Sequence, residues 1–279
     1  MSVAVTALFR LELAEAARSR WAVFTAVVYG LVFTGFVFIG LRESSVLGFT
    51  GLSRVVLNVA NVVVLAVPLV VLVATCQVIV KARQSGYFEL MLSQPVRRQD
   101  WFRAAVVSCL GVVAGPLVVL FVAALAASKL GAQRDAALVP AVARCLAVTL
   151  SLAWAFVGVG FLISAWARTA ERATVMALLV WVTASALHDF ALIGALLRFK
   201  VAPAIVFTLA ALNPVETARI AVLGGVDPEL SVLGPVGFWL ANTLGPDRML
   251  IAGIAWPLVV GTLTLYLAER VLHNADLVG

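Results

Sequence analysis

The chain alternates between long apolar runs and shorter polar connections. A helix needs about 20 apolar residues to cross the hydrocarbon of a bilayer. Six runs reach this length, and we predict them as membrane-spanning helices at residues 21–41, 55–80, 104–128, 139–165, 173–197 and 249–268. The predicted fold is therefore all-α, a polytopic membrane bundle that forms a single transmembrane domain over residues 1–279.

Two further segments are helical in pattern but do not cross the bilayer. Over residues 4–20, apolar positions such as Leu8 and Leu11 recur at helical spacing, while Glu12 and Glu15 fall on other faces. This pattern predicts an interfacial amphipathic helix. The stretch 198–248 has apolar runs too short to span, broken by Pro and Gly, and is predicted to be periplasmic or re-entrant.

Composition supports a membrane protein. Hydrophobic residues make up 63% of the chain and charged residues 12%, whereas soluble domains carry about 25% charged residues. The net charge of +6 is scattered over loops, which does not favour a nucleic-acid partner. If the N-terminus is cytoplasmic, the predicted cytoplasmic segments carry more Lys and Arg than the predicted outside segments. We therefore expect cytoplasmic N- and C-termini in a multi-pass protein of the bacterial inner membrane.

The sequence offers little chemistry of its own. The three cysteines and two histidines lack metal-ligand spacing, so no metal site is expected. No GxxxxGK[ST] phosphate loop is present, and no HExxH or GxSxG motif. We therefore expect no enzyme activity and no cofactor in this chain. If ATP drives the protein, a second chain binds it.

The connection at residues 81–103 is the most polar and most basic one. It contains a short amphipathic stretch that should end before Pro95, because the residue preceding a proline avoids helical geometry. One interpretation is a solvated basic loop. The other is a helix that docks on a cytoplasmic partner.

Residues 86–104 read GYFELMLSQPVRRQDWFRA. Together with the N-terminal helix and the six spans, this segment resembles the ABC-2 type permease family, in which it couples the membrane domain to an ATPase. The positions that keep the family pattern are Gly86, Glu89, Leu90, Leu92, Pro95, Arg97 and Arg98. The resemblance implies a homodimer with two cytoplasmic ABC ATPase subunits, which hold ATP and Mg. Residues 82–87 depart from the acidic and Gly-Thr pattern of the family, which leaves open which ATPase docks.

Further features resemble one branch of that family, the membrane subunits of transporters for nitrous-oxide reductase maturation. They are the run Leu47-Gly48-Phe49-Thr50, Trp181 with Asp189, and Leu212-Asn213-Pro214 followed by Arg219 and Leu223. The branch implies a role in copper-centre assembly, a periplasmic repeat protein as partner, and an outward position for residues 213–223. The candidate partner contacts are Asn213, Pro214, Glu216 and Arg219. The alternative is a purely structural role for residues 213–223, as a surface helix packed on the bundle.

Asp189 is the candidate intramembrane functional residue. A carboxylate in hydrocarbon is costly and should find a partner, which would suit a relay or a substrate contact. Alternatively, the span ends near residue 187 and Asp189 lies at the wet interface.

Two other functions remain open. An ABC-2 exporter of another small molecule, lipid or ion would lack the periplasmic repeat partner. A stand-alone transporter or intramembrane enzyme would need paired membrane carboxylates or an inverted repeat. The sequence shows one such carboxylate and no obvious repeat.

Overall fold

The computed structural model describes residues 3–18, 23–31, 51–94, 96–130, 138–199, 203–225, 230 and 234–274. Within these ranges every regular element is helical. The helices are α1 (Val3–Arg18), α2 (23–31), α3 (Gly51–Thr75), α4 (Val78–Gln84), α5 (Tyr87–Leu92), α6 (Arg98–Leu130), α7 (Leu138–Trp166), α8 (Ala170–Val182), a π-helical segment (Thr183–Leu187), α9 (His188–Phe199), α10 (Pro203–Ala211), α11 (Pro214–Leu223), α12 (Gly234–Thr243) and α13 (Gly245–Asn274).

Five stretches among the described residues are long and apolar enough to cross a membrane, at Val62–Gln84, Arg98–Ala123, Val139–Trp166, Ala170–Leu192 and Gly245–Asn274. The pair α10 and α11 would be a sixth if it counts as one span, although it bends by 116°. The all-α membrane fold is thereby confirmed. Most of the predicted first span at 21–41 lies outside the described residues, and the positions at which spans enter the bilayer stay predictions.

Helix α7 forms the centre of the bundle and packs on α13, α3 and α6. Glycines allow its closest contacts. A Cβ atom at Gly158 would overlap Thr264 and the backbone of Gly261, and one at Gly160 would overlap the Thr75 side chain. Small residues let membrane helices approach because lipid supplies no hydrophobic force between them, so tight van der Waals packing must hold the bundle together.

A break between α3 and α4 is stabilised by α7. The backbone amides of Ile79 and Val80 donate to the buried Ser164 Oγ, at 2.8 and 3.2 Å. These are first-turn amides, which have no partner within their own helix. One hydroxyl therefore satisfies two buried amide donors where α3 ends and α4 begins.

Helix α1 packs along α6. Its Leu8 is buried and its Leu11 is 56% exposed, so the helix has a face on the bundle and a face away from it. Its location at the bilayer surface stays a prediction.

Candidate functional site

The predicted coupling segment, residues 81–103, contains the short helix α5. Gly86 precedes this helix with φ of 70°, a left-handed conformation that glycine adopts without the penalty of a Cβ atom. At the other end, the Ser93 amide donates to the Glu89 carbonyl. The segment therefore turns sharply at Gly86 and presents one amphipathic turn and a half of helix.

The inner face of α5 is fixed to the bundle. Phe88 is 1% exposed and Met91 is 6% exposed. The Phe88 ring meets the buried Trp101 ring edge to face, with centroids 4.7 Å apart. Aromatic pairs of this geometry stabilise beyond the area that they bury.

The outer face of α5 is exposed. Leu90 is 67% exposed and Glu89 is exposed beside it. Arg97 is also exposed, whereas Gly86 and Arg98 are half-buried. Pro95 and the side chain of Leu92, two other predicted contacts, lie outside the described part of the chain. The segment thus offers an apolar and acidic surface on a helix whose other side is rigidly held.

Two hydrogen bonds connect the coupling segment to α1. The Tyr87 hydroxyl and the Trp101 indole N–H both donate to Glu12 Oε1, each at 2.9 Å. Burial raises the pKa of the Glu12 carboxyl above its ordinary value, and the two donated bonds act in the opposite direction. The N-terminal helix and the coupling segment therefore move as one piece while these bonds are intact.

Further contacts reach other helices at the same end of the bundle. Arg98 Nη1 donates to the His273 carbonyl near the end of α13, at 3.4 Å. Gln77, directly before α4, donates from Nε2 to Thr174 Oγ1 at 2.6 Å. Gln84, at the end of α4, donates from Nε2 to the Arg168 carbonyl at 3.4 Å. The turn between α7 and α8 is thereby tied to the coupling segment.

Three charged side chains meet at the opposite end, and we call them the charge cluster. Arg219 Nη1 lies 2.8 Å from Asp189 Oδ2 and 2.7 Å from Glu216 Oε1. The exposed side-chain fractions are 22% for Arg219, 28% for Asp189 and 11% for Glu216. One guanidinium thus bridges two carboxylates in a partly dehydrated setting.

The chain places this cluster with two local devices. Asn213 caps α11, since its Oδ1 accepts from the Val215 amide at 3.0 Å, and Pro214 occupies the first helical turn. The Asn213 side chain also donates to the carbonyl of Ala184, within the π-helical segment, at 2.6 Å. π-Helical segments are rare in proteins overall, and those that occur are often found at functional sites. Asn213 therefore fixes α11 against the helix that carries Asp189.

The sequence identified the members of the charge cluster but not their contact. Asp189 was expected either to find a partner or to lie in water, and the structure gives it a partner in Arg219. Most of α11 is buried, including Val215 and Ala218 at 0% exposure, so it is a helix packed on the bundle. The predicted role of its residues in binding a periplasmic partner stays a prediction. Asp189 and Arg219 are 30 positions apart, and no local sequence pattern indicates that they meet. Only the fold shows this pair.

No group of three His, Cys, Asp or Glu side chains in the described ranges is arranged to hold a metal ion. The three cysteines are free thiols, with Cys76 and Cys145 buried. The features that stand out are structural: an anchored helix at one end and a charge cluster at the other. They define a multi-pass α-helical membrane domain.

Comparison with known proteins identifies the class more closely. The family model of ABC-2 family transporter proteins matches residues 6–271, and the chain belongs to that family. It is therefore similar to the permease subunits of ABC transporters, which implies a cytoplasmic ATPase partner.

Two relatives cover nearly the whole chain. The "Probable ABC transporter permease protein NosY" of Stutzerimonas stutzeri is 25% identical over 258 residues, which are 88% of this chain and 89% of the relative. A protein of the same description from Pseudomonas aeruginosa is 27% identical over 257 residues, 84% of this chain and 90% of the relative. The resemblance to the ABC-2 family is thereby confirmed.

Proposed function

We propose that this chain is the membrane half of an ABC transporter, which converts ATP hydrolysis in a separate subunit into movement of its helices. The anchored helix α5 is the observation that carries this proposal. Its inner face is locked by Phe88 and Met91, whereas Leu90 and Glu89 face outward. A helix that is rigid on one side and exposed on the other transmits a push from a partner rather than absorbing it.

The contacts of the coupling segment define where such a push goes. It passes to α1 through the Tyr87 and Trp101 bonds to Glu12. It passes to α13 through Arg98. It reaches the turn directly before α8 through the bond from Gln84 Nε2 to the Arg168 carbonyl. Three helices at this end therefore move with α5.

The assembly that fits this role is a homodimer of this chain with two cytoplasmic ATPase subunits, which hold ATP and Mg. The protein lies in the bacterial inner membrane with both termini and the coupling segment in the cytoplasm. Ser93 tests this orientation because it is exposed beside α5. A cysteine at Ser93 should react only with reagents applied from the cytoplasmic side, and labelling from outside would invert the topology.

The branch resemblance in the sequence supports a specific task, maturation of the copper centres of nitrous-oxide reductase. A periplasmic repeat protein would then bind near the charge cluster, on the face that carries Pro214 and Arg219. ATP hydrolysis would drive transport or a conformational change in that partner. An ABC-2 exporter of another small molecule, lipid or ion is the alternative.

Co-purification separates these two roles. The tagged chain is extracted from its native membrane in mild detergent, and the proteins bound to it are identified by mass spectrometry. Recovery of an ABC ATPase with a periplasmic repeat protein supports copper-centre maturation. Recovery of the ATPase alone supports the exporter, and absence of any ATPase contradicts the proposal.

The Glu89→Arg variant tests coupling in the same complex. It should lower ATPase activity that depends on the membrane subunit, because a reversed charge on the exposed face of α5 opposes docking. Asp247→Arg is the matched control, since Asp247 is exposed in the first turn of α13, at the other end of the bundle, and the substitution makes the same reversal of charge away from α5. Normal coupled hydrolysis in Glu89→Arg would contradict the docking assignment.

A further inference from the structure

A cavity of about 630 Å³ lies between α1, the end of the second span and the start of α6. Ligand sites in proteins usually have volumes of about 300–1,000 Å³. The cavity is at the coupling end of the bundle, directly beside the hydrogen bonds to Glu12. Neither the ATPase-docking face of α5 nor the charge cluster includes it.

The cavity is polar at one end and apolar at the other. Glu12, Glu15 and Lys81 line it near the coupling segment, and Val112 and Val113 line it further along α6. An α-helix rises 1.5 Å per residue, so Val113 lies about 18 Å along the helix axis from the first-turn residue Trp101. A ligand that fills this space must be an amphiphile with a charged head and an apolar tail.

The charges that line the polar end do not neutralise one another. Among the described residues, no ion pair joins Lys81 to Glu12 or Glu15, although all three line the same cavity. Opposite charges that share a cavity without touching leave room for a zwitterion between them. Two carboxylates against one ammonium also disfavour an anionic head.

Ser108 supplies an independent indication of a ligand. This residue lines the cavity and is 1% exposed, and its Oγ has no hydrogen-bond partner in the described part of the chain. Buried hydroxyls are nearly always paired, because an unpaired one loses its bonds to water without replacement. Ser108 lies about 10 Å along α6 from Trp101, a depth that suits the ester groups of a lipid.

We propose that this cavity binds one aminophospholipid, such as phosphatidylethanolamine. Its ammonium group lies against the carboxylates of Glu12 and Glu15, and its phosphate lies against Lys81. An ester carbonyl accepts the hydrogen bond of Ser108, and an acyl chain follows the apolar end. The lipid joins α1 to α4, so membrane composition adjusts how firmly the N-terminal helix is held to the coupling segment.

Native mass spectrometry of the purified full-length chain tests the proposal directly. Dioleoyl phosphatidylethanolamine, phosphatidylcholine and phosphatidylglycerol are titrated separately. One phosphatidylethanolamine per chain should bind about tenfold more tightly than phosphatidylcholine, the factor that one charge-assisted hydrogen bond supplies, because a quaternary headgroup has no N–H to donate. Equal occupancy by all three lipids, or preference for phosphatidylglycerol, overturns the proposal.

Two variants of α6 provide a matched pair. Val112→Trp fills the cavity and should abolish the selective binding. Val107→Trp introduces the same side chain at a position that is 51% exposed and outside the cavity, so it should bind as the wild type does. Identical binding by the two variants contradicts the proposed site.

Two further arms keep the test decisive. If Val112→Trp does not fold, Glu15→Gln replaces it, and retention of the full preference in Glu15→Gln counts against the site. Soluble O-phosphoethanolamine should not displace the lipid at equal concentration. Displacement at equal concentration would show that a free headgroup compound is the ligand and would overturn the assignment to a lipid.

Discussion

Arg219 on α11 pairs with Asp189 at the start of α9, with 2.8 Å between Nη1 and Oδ2. The two residues are 30 positions apart, and α11 meets the rest of the bundle mainly through apolar contacts. The pair thus joins the bent pair of helices α10 and α11 to the span formed by α8 and α9, directly after the π-helical segment Thr183–Leu187. Any movement of α11 relative to that span must break it.

Arg219→Met should destabilise the protein by about 1–3 kcal/mol, below the value for a fully buried pair because the side chains remain partly hydrated. It leaves both Asp189 and Glu216 without their cation. Asp189→Asn should cost less, because Arg219 keeps Glu216. Denaturation in detergent micelles measures both effects.

The double variant Asp189→Asn/Arg219→Met should recover part of the loss in a double-mutant cycle, since one unpaired carboxylate is removed. Arg248→Met is the control, because Arg248 is exposed at the start of α13 and should change stability little. Strictly additive losses would mean that the two residues do not interact.

Ser164→Ala should destabilise the bundle by about 1–3 kcal/mol, since two buried amides lose their acceptor. Ser185→Ala is its matched control, because Ser185 is also buried but its Oγ has no hydrogen-bond partner in the described part of the chain. Thermal unfolding in micelles should show a lower Tm for Ser164→Ala alone. Equal decreases of Tm in the two variants would contradict the role of Ser164 as the acceptor for the first-turn amides of α4.

Gly160→Ala should destabilise by about 1–3 kcal/mol through overpacking against Thr75. Adding Thr75→Ala should restore part of this loss, because it removes the hydroxyl that the new Cβ atom would overlap.

Gly111→Ala is the control and should stabilise the protein, with a gain of about 0.5–1 kcal/mol from helix propensity. The nearest atom to its Cβ would be Leu13 Cδ1 at 3.8 Å. A loss in Gly111→Ala as large as that in Gly160→Ala would contradict the packing argument.

The contact between α1 and the coupling segment should weaken as pH rises. Burial raises the pKa of Glu12 from its ordinary value of 4.5, so the folded state holds its proton to a higher pH than the unfolded chain does. The stability that favours folding is then present below the unfolded pKa and is lost as pH rises through the folded one. Hydrogen exchange of α1 measured against pH should show this decline.

Glu12→Gln should abolish that pH dependence and keep the contact, because the amide oxygen still accepts from Tyr87 and Trp101. Glu12→Ala should lose protection of α1 at every pH. A pH profile that is unchanged in Glu12→Gln would show that another group titrates.

Much of the fold followed from the sequence. Long apolar runs dictate membrane helices because a bilayer leaves no other partner for the backbone polar groups. The amphipathic pattern before Pro95 predicted a short helix, and the structure has α5 at Tyr87–Leu92. An Asn-Pro pair such as Asn213-Pro214 is typical of a helix start. Each of these signals is local, since it depends on residues within one or two helical turns.

What the tertiary structure alone decided is which distant residues meet. The pairing of Asp189 with Arg219, the acceptor role of Ser164 for α4, and the bonds of Tyr87 and Trp101 to Glu12 connect positions 30 to 89 residues apart. A single sequence holds no record of such distances, because the same polar residue can face lipid headgroups, water or another helix. The packing of the helices around α7 determines which of these residues come into contact. It also places the candidate sites at the two ends of the bundle.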